Sequence, residues 1–179
     1  MNVVVLNPNT SASITDRLVS QARRYLPDSF SVSGLTAPSG PSVVRASPDI
    51  ELAHRSLFAM VDRLPQDTDA VVLGISLDIG LHDLRHRLRQ PIFGLSECAL
   101  IAAATTGQPI YALTVGRHMV VHYEEMASGY LKPDQSIVWR ALDLPTAMTP
   151  QTLGDVERQA LLSQAREVLH QVPSAVVVF

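Results

Sequence analysis

The 179-residue sequence contains one cysteine, Cys98. A single thiol excludes an internal disulfide and a cysteine-based zinc cluster, and it fits a reducing cytoplasm. Basic residues are not in excess: 14 Lys and Arg stand against 17 Asp and Glu, a formal net charge of -3. Apart from the cluster Arg85, Arg87 and Arg89 they are scattered, which argues against nucleic acid and against a membrane surface as partners. Long apolar runs are also missing. The opening "MNVVVLNPNTS" is too short in its apolar part for a signal peptide or a span, and no basic segment precedes it. There is no close internal repeat and no low-complexity stretch. These absences together predict a soluble, cytoplasmic protein.

What is present is core. Hydrophobic residues make up 46% of the chain, enough for one well-packed core or two small ones sharing a cleft. Short apolar runs alternate with amphipathic segments. "NVVVL", "FSVSGLTA", "DAVVLGI", "PIFGL", "PIYALTVG", "SIVWRALDL" and "SAVVVF" read as strands. Helices are expected at about 12–26, where Ile14, Leu18, Ala22 and Tyr25 share a face, and from Pro48-Asp49 through Ile50, Ala53, Leu57, Val61 and Leu64. Further helices are expected near 81–89, 96–106, 117–130 and 150–171. Runs such as "NVVVL" and "SAVVVF" have the continuous β-branched character of parallel strands buried on both faces. The alternation therefore predicts a parallel α/β architecture. A boundary near residue 95 would give two lobes, 1–95 and 96–179.

In such folds ligands bind beyond the carboxyl ends of the strands. The residues there are Asn7, Pro8, Asn9, Thr10 and Ser11; Ser76 to Gly80; Ser96 and Glu97; and Thr114 to Gly116. "NPNTS" opens a helix, whose free amides attract a carboxylate or a polarised carbonyl, with hydroxyls adding donors. Helix capping explains the same residues, and both roles can hold. Thr114 and Gly116 occupy an equivalent place, with an ordinary turn as the alternative. "HDLRH" sets His82 and His86 at i, i+4, without a third ligand in view, and His118 and His122 share that spacing. A solvated helical face is the simpler reading of both. "GISLD" has Asp78 where a nucleophile elbow requires glycine. Cys98 sits near a helix start, which can lower a thiol pKa, but its apolar neighbours favour a buried, inert side chain.

In order along the chain, "VVVLNPNTSASITDRL", "GPSVV", "DAVVLGISLDIGL", "PIFGLSECALIAA" and "YALTVG" resemble the aspartate/glutamate/hydantoin racemase superfamily, within it the hydantoin and allantoin racemase branch. The resemblance covers essentially the whole chain. It implies two similar Rossmann-like parallel-sheet lobes around a central cleft, no cofactor and no metal, and a small carboxylate, hydantoin or ureide as ligand. It also implies two cysteines, one per lobe, which remove and return a proton on opposite faces of a chiral carbon. Asn7, Asn9, Thr10, Ser11, Asp78, Gly80 and Glu97 match the family's pattern, and with Ser76, Thr114 and Gly116 they form the expected ligand-binding set. Ile75 occupies the position of the first cysteine. The chain stops at "SAVVVF", where the stretch carrying the second cysteine should begin, so the second lobe is expected to be truncated.

The expected function is thus a racemase-like protein that binds a small anion or ureide between its lobes, with no support from these residues for two-thiol racemisation. The alternatives are a non-catalytic binding or structural relative, or, if the native chain is longer, an enzyme with one protonating cysteine like the family's arylmalonate decarboxylases. An uncovered sheet edge invites pairing with another chain, so a homo-oligomer burying "SAVVVF" is expected.

Overall fold

A computed structural model describes residues 1–143 and 150–178. It contains seven strands, β1 (Asn2–Asn7), β2 (Ser31–Thr36), β3 (Ala70–Leu73), β4 (Ile92–Gly94), β5 (Ile110–Val115), β6 (Ile137–Leu142) and β7 (Val176–Val178). The helices among them are α1 (Ala12–Tyr25), α2 (Ser47–Val61), α3 (Leu81–Arg87), α4 (Leu95–Ala104), α5 (Val120–Ser128) and α6 (Pro150–Gln171). Every strand and helix expected from the pattern is present. Leu144 and Phe179, the last residues of the sixth and seventh expected strands, lie outside the described residues.

The chain divides into two compact units, Met1–Cys98 and Ala99–Phe179, with the division inside α4. In the first, four parallel strands run in the order β2-β1-β3-β4. β1 is central, and Val3, Val4, Val5 and Leu6 are all buried. Side chains alternate between faces of a strand. Val3 and Val5 therefore share one face, where Val32 and Ala70 join them beneath Leu18, Val19, Ala22 and Leu26. Tyr25 does not belong to that stripe. It is the last residue of α1 and is 77% exposed, with Arg24 over its ring. The buried face runs on to Leu26 instead. Val4 and Leu6 point to the opposite face, the side approached by α2, whose Ala53, Leu57 and Met60 are fully buried.

The second unit repeats the plan with three parallel strands in the order β6-β5-β7. Its first strand, β5, again lies between the second and third. One cluster joins Leu100, Ala103, Ile110 and Ala127; another joins Leu113, Ala165, Val168 and Ala175. The stripe Leu161, Ala165 and Val168 follows the helical repeat of α6, and Val172, just past its end, joins the same cluster.

Leu57 is fully buried against the first unit's core. Replacing it with Ala is expected to cost about 2–5 kcal/mol, because the lost burial is joined by a cavity term. Urea unfolding followed by circular dichroism checks this.

Candidate functional site

The carboxyl ends of β1 to β4 share one edge of the first sheet, because all four strands are parallel. Loop 7–11 leaves β1 and loop 74–80 leaves its neighbour β3, with the Gly74 amide bonded to the Leu6 carbonyl at 2.7 Å. Asn7, fully buried, organises the first loop. Its Nδ2 donates to Asn9 Oδ1 at 3.0 Å, Ser11 O at 3.1 Å and Thr15 Oγ1 at 2.9 Å, and its Oδ1 accepts the Asn9 amide. Asn9 Oδ1 also accepts the Ser11 amide at 3.1 Å. Thr15 Oγ1 continues the network to Thr36 Oγ1 at the end of β2, 2.7 Å away. The Thr10 amide donates to Pro41 O at 2.9 Å, which ties in the "GPS" turn.

The start of α1 is left open. Ser11 is its N-cap but makes no side-chain cap bond, and the first turn has no acidic residue. The amides of Ala12 and Ser13 have no acceptor inside the helix. The Ser11 and Ser13 hydroxyls lie 3.0 Å apart. Asn9 is 5% exposed, and its Nδ2 has no hydrogen-bond partner among the described residues.

The start of α4 is closed. Asp78, buried and in the left-handed region at φ 47°, accepts the Ser96 amide at 3.3 Å and the Glu97 amide at 2.7 Å. Gly94 makes room for it: a Cβ there would lie 2.6 Å from the Asp78 carboxyl. Ser96 Oγ donates to Ser76 O, a second tie between the same loops. Gly80 begins α3 at φ 75°, where a Cβ would meet Leu57 Cδ2 at 2.8 Å. Turns from Ile75 O to the Asp78 amide and from Asp78 O to the Leu81 amide carry the chain into α3, so Ser76 is not a nucleophile on a strand-to-helix elbow. Ile75 is buried and apolar.

Glu97 does not stand alone. Arg85 clamps both its oxygens, from Nη1 to Oε1 at 2.7 Å and from Nη2 to Oε2 at 2.5 Å. The same guanidinium donates to Ile92 O at the start of β4, from Nε at 3.2 Å and from Nη2 at 2.7 Å. The Arg85 hydrogen bonds hold the Glu97 carboxyl below its ordinary 4.5; desolvation opposes them, and the guanidinium charge and a backbone hydrogen bond from Gly94 add to them. Cys98 is exposed, not buried as its neighbours suggested. Its thiol is nonetheless pushed up, first by desolvation and then by the carboxylates of Glu97 and Asp78, with Arg85 opposing. It is a poor thiolate for that reason.

In the second unit, Thr114 is buried near the end of β5, and Gly116 has φ 83°. The Gly116 amide donates to Leu142 O at 2.8 Å, and the Arg117 amide to Asp143 Oδ1 at 3.1 Å. Sequence reasoning missed Thr15, Thr36 and Arg85. A buried Thr one turn into α1 was a signal in principle, but Arg85 was hidden inside what looked like a solvated basic cluster. Among the described residues no group of three or more His, Cys, Asp or Glu side chains could hold a metal ion, and no helix is long and apolar enough to cross a membrane.

The family described as Asp/Glu/Hydantoin racemase matches residues 3–178. The chain belongs to the Asp/Glu/hydantoin racemase family. Within that family it is 28% identical over 102 residues to a hydantoin racemase of Paenarthrobacter aurescens, a match covering 56% of this chain and 43% of that one. It is 25% identical over 162 residues to a hydantoin racemase of Rhizobium meliloti, covering 90% and 67%. A hydantoin racemase of Pseudomonas sp. (strain NS671) is 23% identical over 159 residues, covering 88% and 61%. The chain thus spans between 43% and 67% of these relatives' lengths. An allantoin racemase structure from Pseudomonas fluorescens superposes with a TM-score of 0.80 at 23% identity, over 99% of this chain and 76% of that one. One from Klebsiella pneumoniae gives 0.83 at 19%, over 99% and 73%. Both show the same fold.

Because Glu97 titrates low in the folded state, its stabilisation is complete above its ordinary pKa and is lost as pH falls through the lowered value. Arg85→Ala is expected to destabilise the protein by about 1–2 kcal/mol at neutral pH, a charged hydrogen-bond set discounted for the partial exposure of the guanidinium. The gap between parent and variant should narrow as pH drops below the ordinary carboxylate range. Urea titrations at several pH values measure it.

Proposed function

We propose that this racemase-family chain binds a small carboxylate, hydantoin or ureide at the open start of α1, and that it does not racemise by the two-thiol route. The observation that carries the binding reading is the Asn9 carboxamide. Its oxygen is committed to the Asn7 side chain and the Ser11 amide, which fixes its orientation, while its Nδ2 donor is without a partner on a residue that is 5% exposed. That donor is not sealed from solvent, since among the described residues the buried side-chain nitrogen or oxygen without a partner is Trp139 Nε1, so an oxygen-bearing ligand would take the place of water on it. The neighbouring Ala12 and Ser13 amides and the Ser11 hydroxyl supply donors of the same polarity, in the field of an uncapped helix end. Loop 7–11 has no charged side chain, so the recognition is by amides and hydroxyls, suited to a carbonyl as well as a carboxylate. Ser76 and Gly80, in the loop after β3, are further candidates of the first unit. Asp78 and Glu97 act indirectly, by holding α4 and the loop ends. Thr114 and Gly116 are the corresponding candidates of the second unit.

The reading without two-thiol chemistry rests on Ile75, which has no exchangeable side-chain proton, and on Cys98, whose thiol is pushed up rather than down. Proton removal by the first unit's thiol therefore has no group to perform it.

Calorimetric titration with hydantoin, allantoin, aspartate and glutamate tests the binding. At least one should bind, and Asn9→Asp, which keeps the acceptor but replaces Nδ2 by an oxygen, should weaken it by about tenfold or more, the equivalent of one lost hydrogen bond. Binding unchanged in Asn9→Asp, or no binding across the panel, overturns the site. Solvent deuterium appearing at the chiral carbon of a panel member above the buffer rate overturns the exclusion of racemisation.

A further inference from the structure

The most specific side-chain constellation outside the ligand site lies on α3. His82 and His86 project from successive turns, with ring centroids 4.4 Å apart, planes at 80°, and Nε2 to Nε2 only 3.0 Å. Both rings are exposed. The contact is a hydrogen bond when one ring carries its proton on Nε2 and the other offers a lone pair there. We propose that His82 and His86 form a bidentate site for a divalent transition-metal ion with a preference for square or octahedral coordination, copper(II) or nickel(II) ahead of zinc(II).

The distance admits a metal ion. Imidazole nitrogens bind such metals at about 2.0–2.1 Å, so two of them 3.0 Å apart subtend an angle of about 94° at the metal. That is a cis pair on a square or octahedral ion. A tetrahedral ion needs the nitrogens about 3.3 Å apart at the same bond length, which a small rotation of either exposed ring supplies, so the order of the ions rests on their affinity for nitrogen ligands. The usual affinity order for nitrogen sites places copper(II) first. Binding needs a lone pair on both Nε2 atoms, so the ring that donates the hydrogen bond moves its proton to Nδ1, and water fills the remaining positions.

The local charges permit a cation. Arg85 is turned to Glu97, and Arg87 lies 5.4 Å over the Phe58 ring. His86 is in the last turn of α3, where the carbonyl ends favour positive charge. Asp83, which neighbours His82, is bonded to His54 at 2.8 Å and adds a negative charge to the helix. A metal bridging two turns would also brace a helix of seven residues, too short to be stable by itself.

Titration of the untagged protein with copper(II), nickel(II) and zinc(II) near neutral pH tests the site. The expected result is one copper(II) per chain, weaker nickel(II), weaker still zinc(II), and a copper resonance spectrum with splitting from two nitrogens. His82→Ala and His86→Ala should each weaken copper binding by about tenfold or more and remove one nitrogen from the spectrum. Both positions are exposed, so circular dichroism should show folded variants. His118→Ala, at the other pair with the same spacing, should change nothing. No copper binding, binding insensitive to His82→Ala and His86→Ala, or binding lost in His118→Ala overturns the proposal. Zinc binding tighter than copper overturns the proposed order of ions.

Discussion

The carboxylate of Asp78 holds together the edge of the sheet on which everything else in the first unit depends. It belongs to the loop after β3, yet it accepts the first amides of α4, which follows β4. Two consecutive crossovers are fixed to each other by one side chain. The conditions for this are strict. Asp78 must take up a left-handed backbone conformation, which Asp tolerates better than most residues. Gly94 must have no side chain, since a Cβ would stand inside the carboxyl group. Arg85 then ties α3 to α4 through Glu97 and to the start of β4 through Ile92 O. An apolar run followed by "GISLDIG" is thus a brace before it is anything chemical.

Much of this architecture was legible in the sequence because it depends on local pattern. Continuous Val and Leu in β1, β3 and β7 announce parallel strands, and the spacing of Ala53, Leu57 and Val61 announces α2. Pattern failed where a single residue's surroundings come from distant chain. Tyr25 has the right spacing for the buried stripe of α1, but the helix ends there and Leu26 takes the place. Cys98 has apolar neighbours in sequence and an exposed position in space. Arg85 was one of three arginines in a row of alternating positions, and nothing local separates the one that meets Glu97, twelve residues on, from the others. The polar residues expected after the strands gather at the strands' carboxyl ends, with Asn7 and Thr114 still inside β1 and β5. Their division into internal braces and open donors became visible only with the hydrogen bonds.

That division gives a physical reading of the first unit's loops. Negative charge closes the start of α4 through Asp78, and Asp49 lies in the first turn of α2. The start of α1 has neither, although Asn7 and Asn9 build the loop before it with great economy of hydrogen bonds. A loop held by its own side chains that leaves one helix end open keeps the positive end of the helix dipole unneutralised, whether or not any proton moves.

The strand order has a consequence for how the chain comes into being. In each unit the first strand made is the central one: β1 lies between β2 and β3, and β5 between β6 and β7. During synthesis β1 can pair on one side once residues 31–36 exist, but its other side waits for residues 70–73. A strand whose Val3, Val4, Val5 and Leu6 are all buried in the finished unit therefore emerges first and keeps one edge unpaired until β3 is made. Long-range parallel pairing is slow, and unpaired apolar strands expose a nascent chain to aggregation. Growth at a ribosome thus places the greatest demand for chaperone protection on residues 3–6, between the emergence of β2 and that of β3.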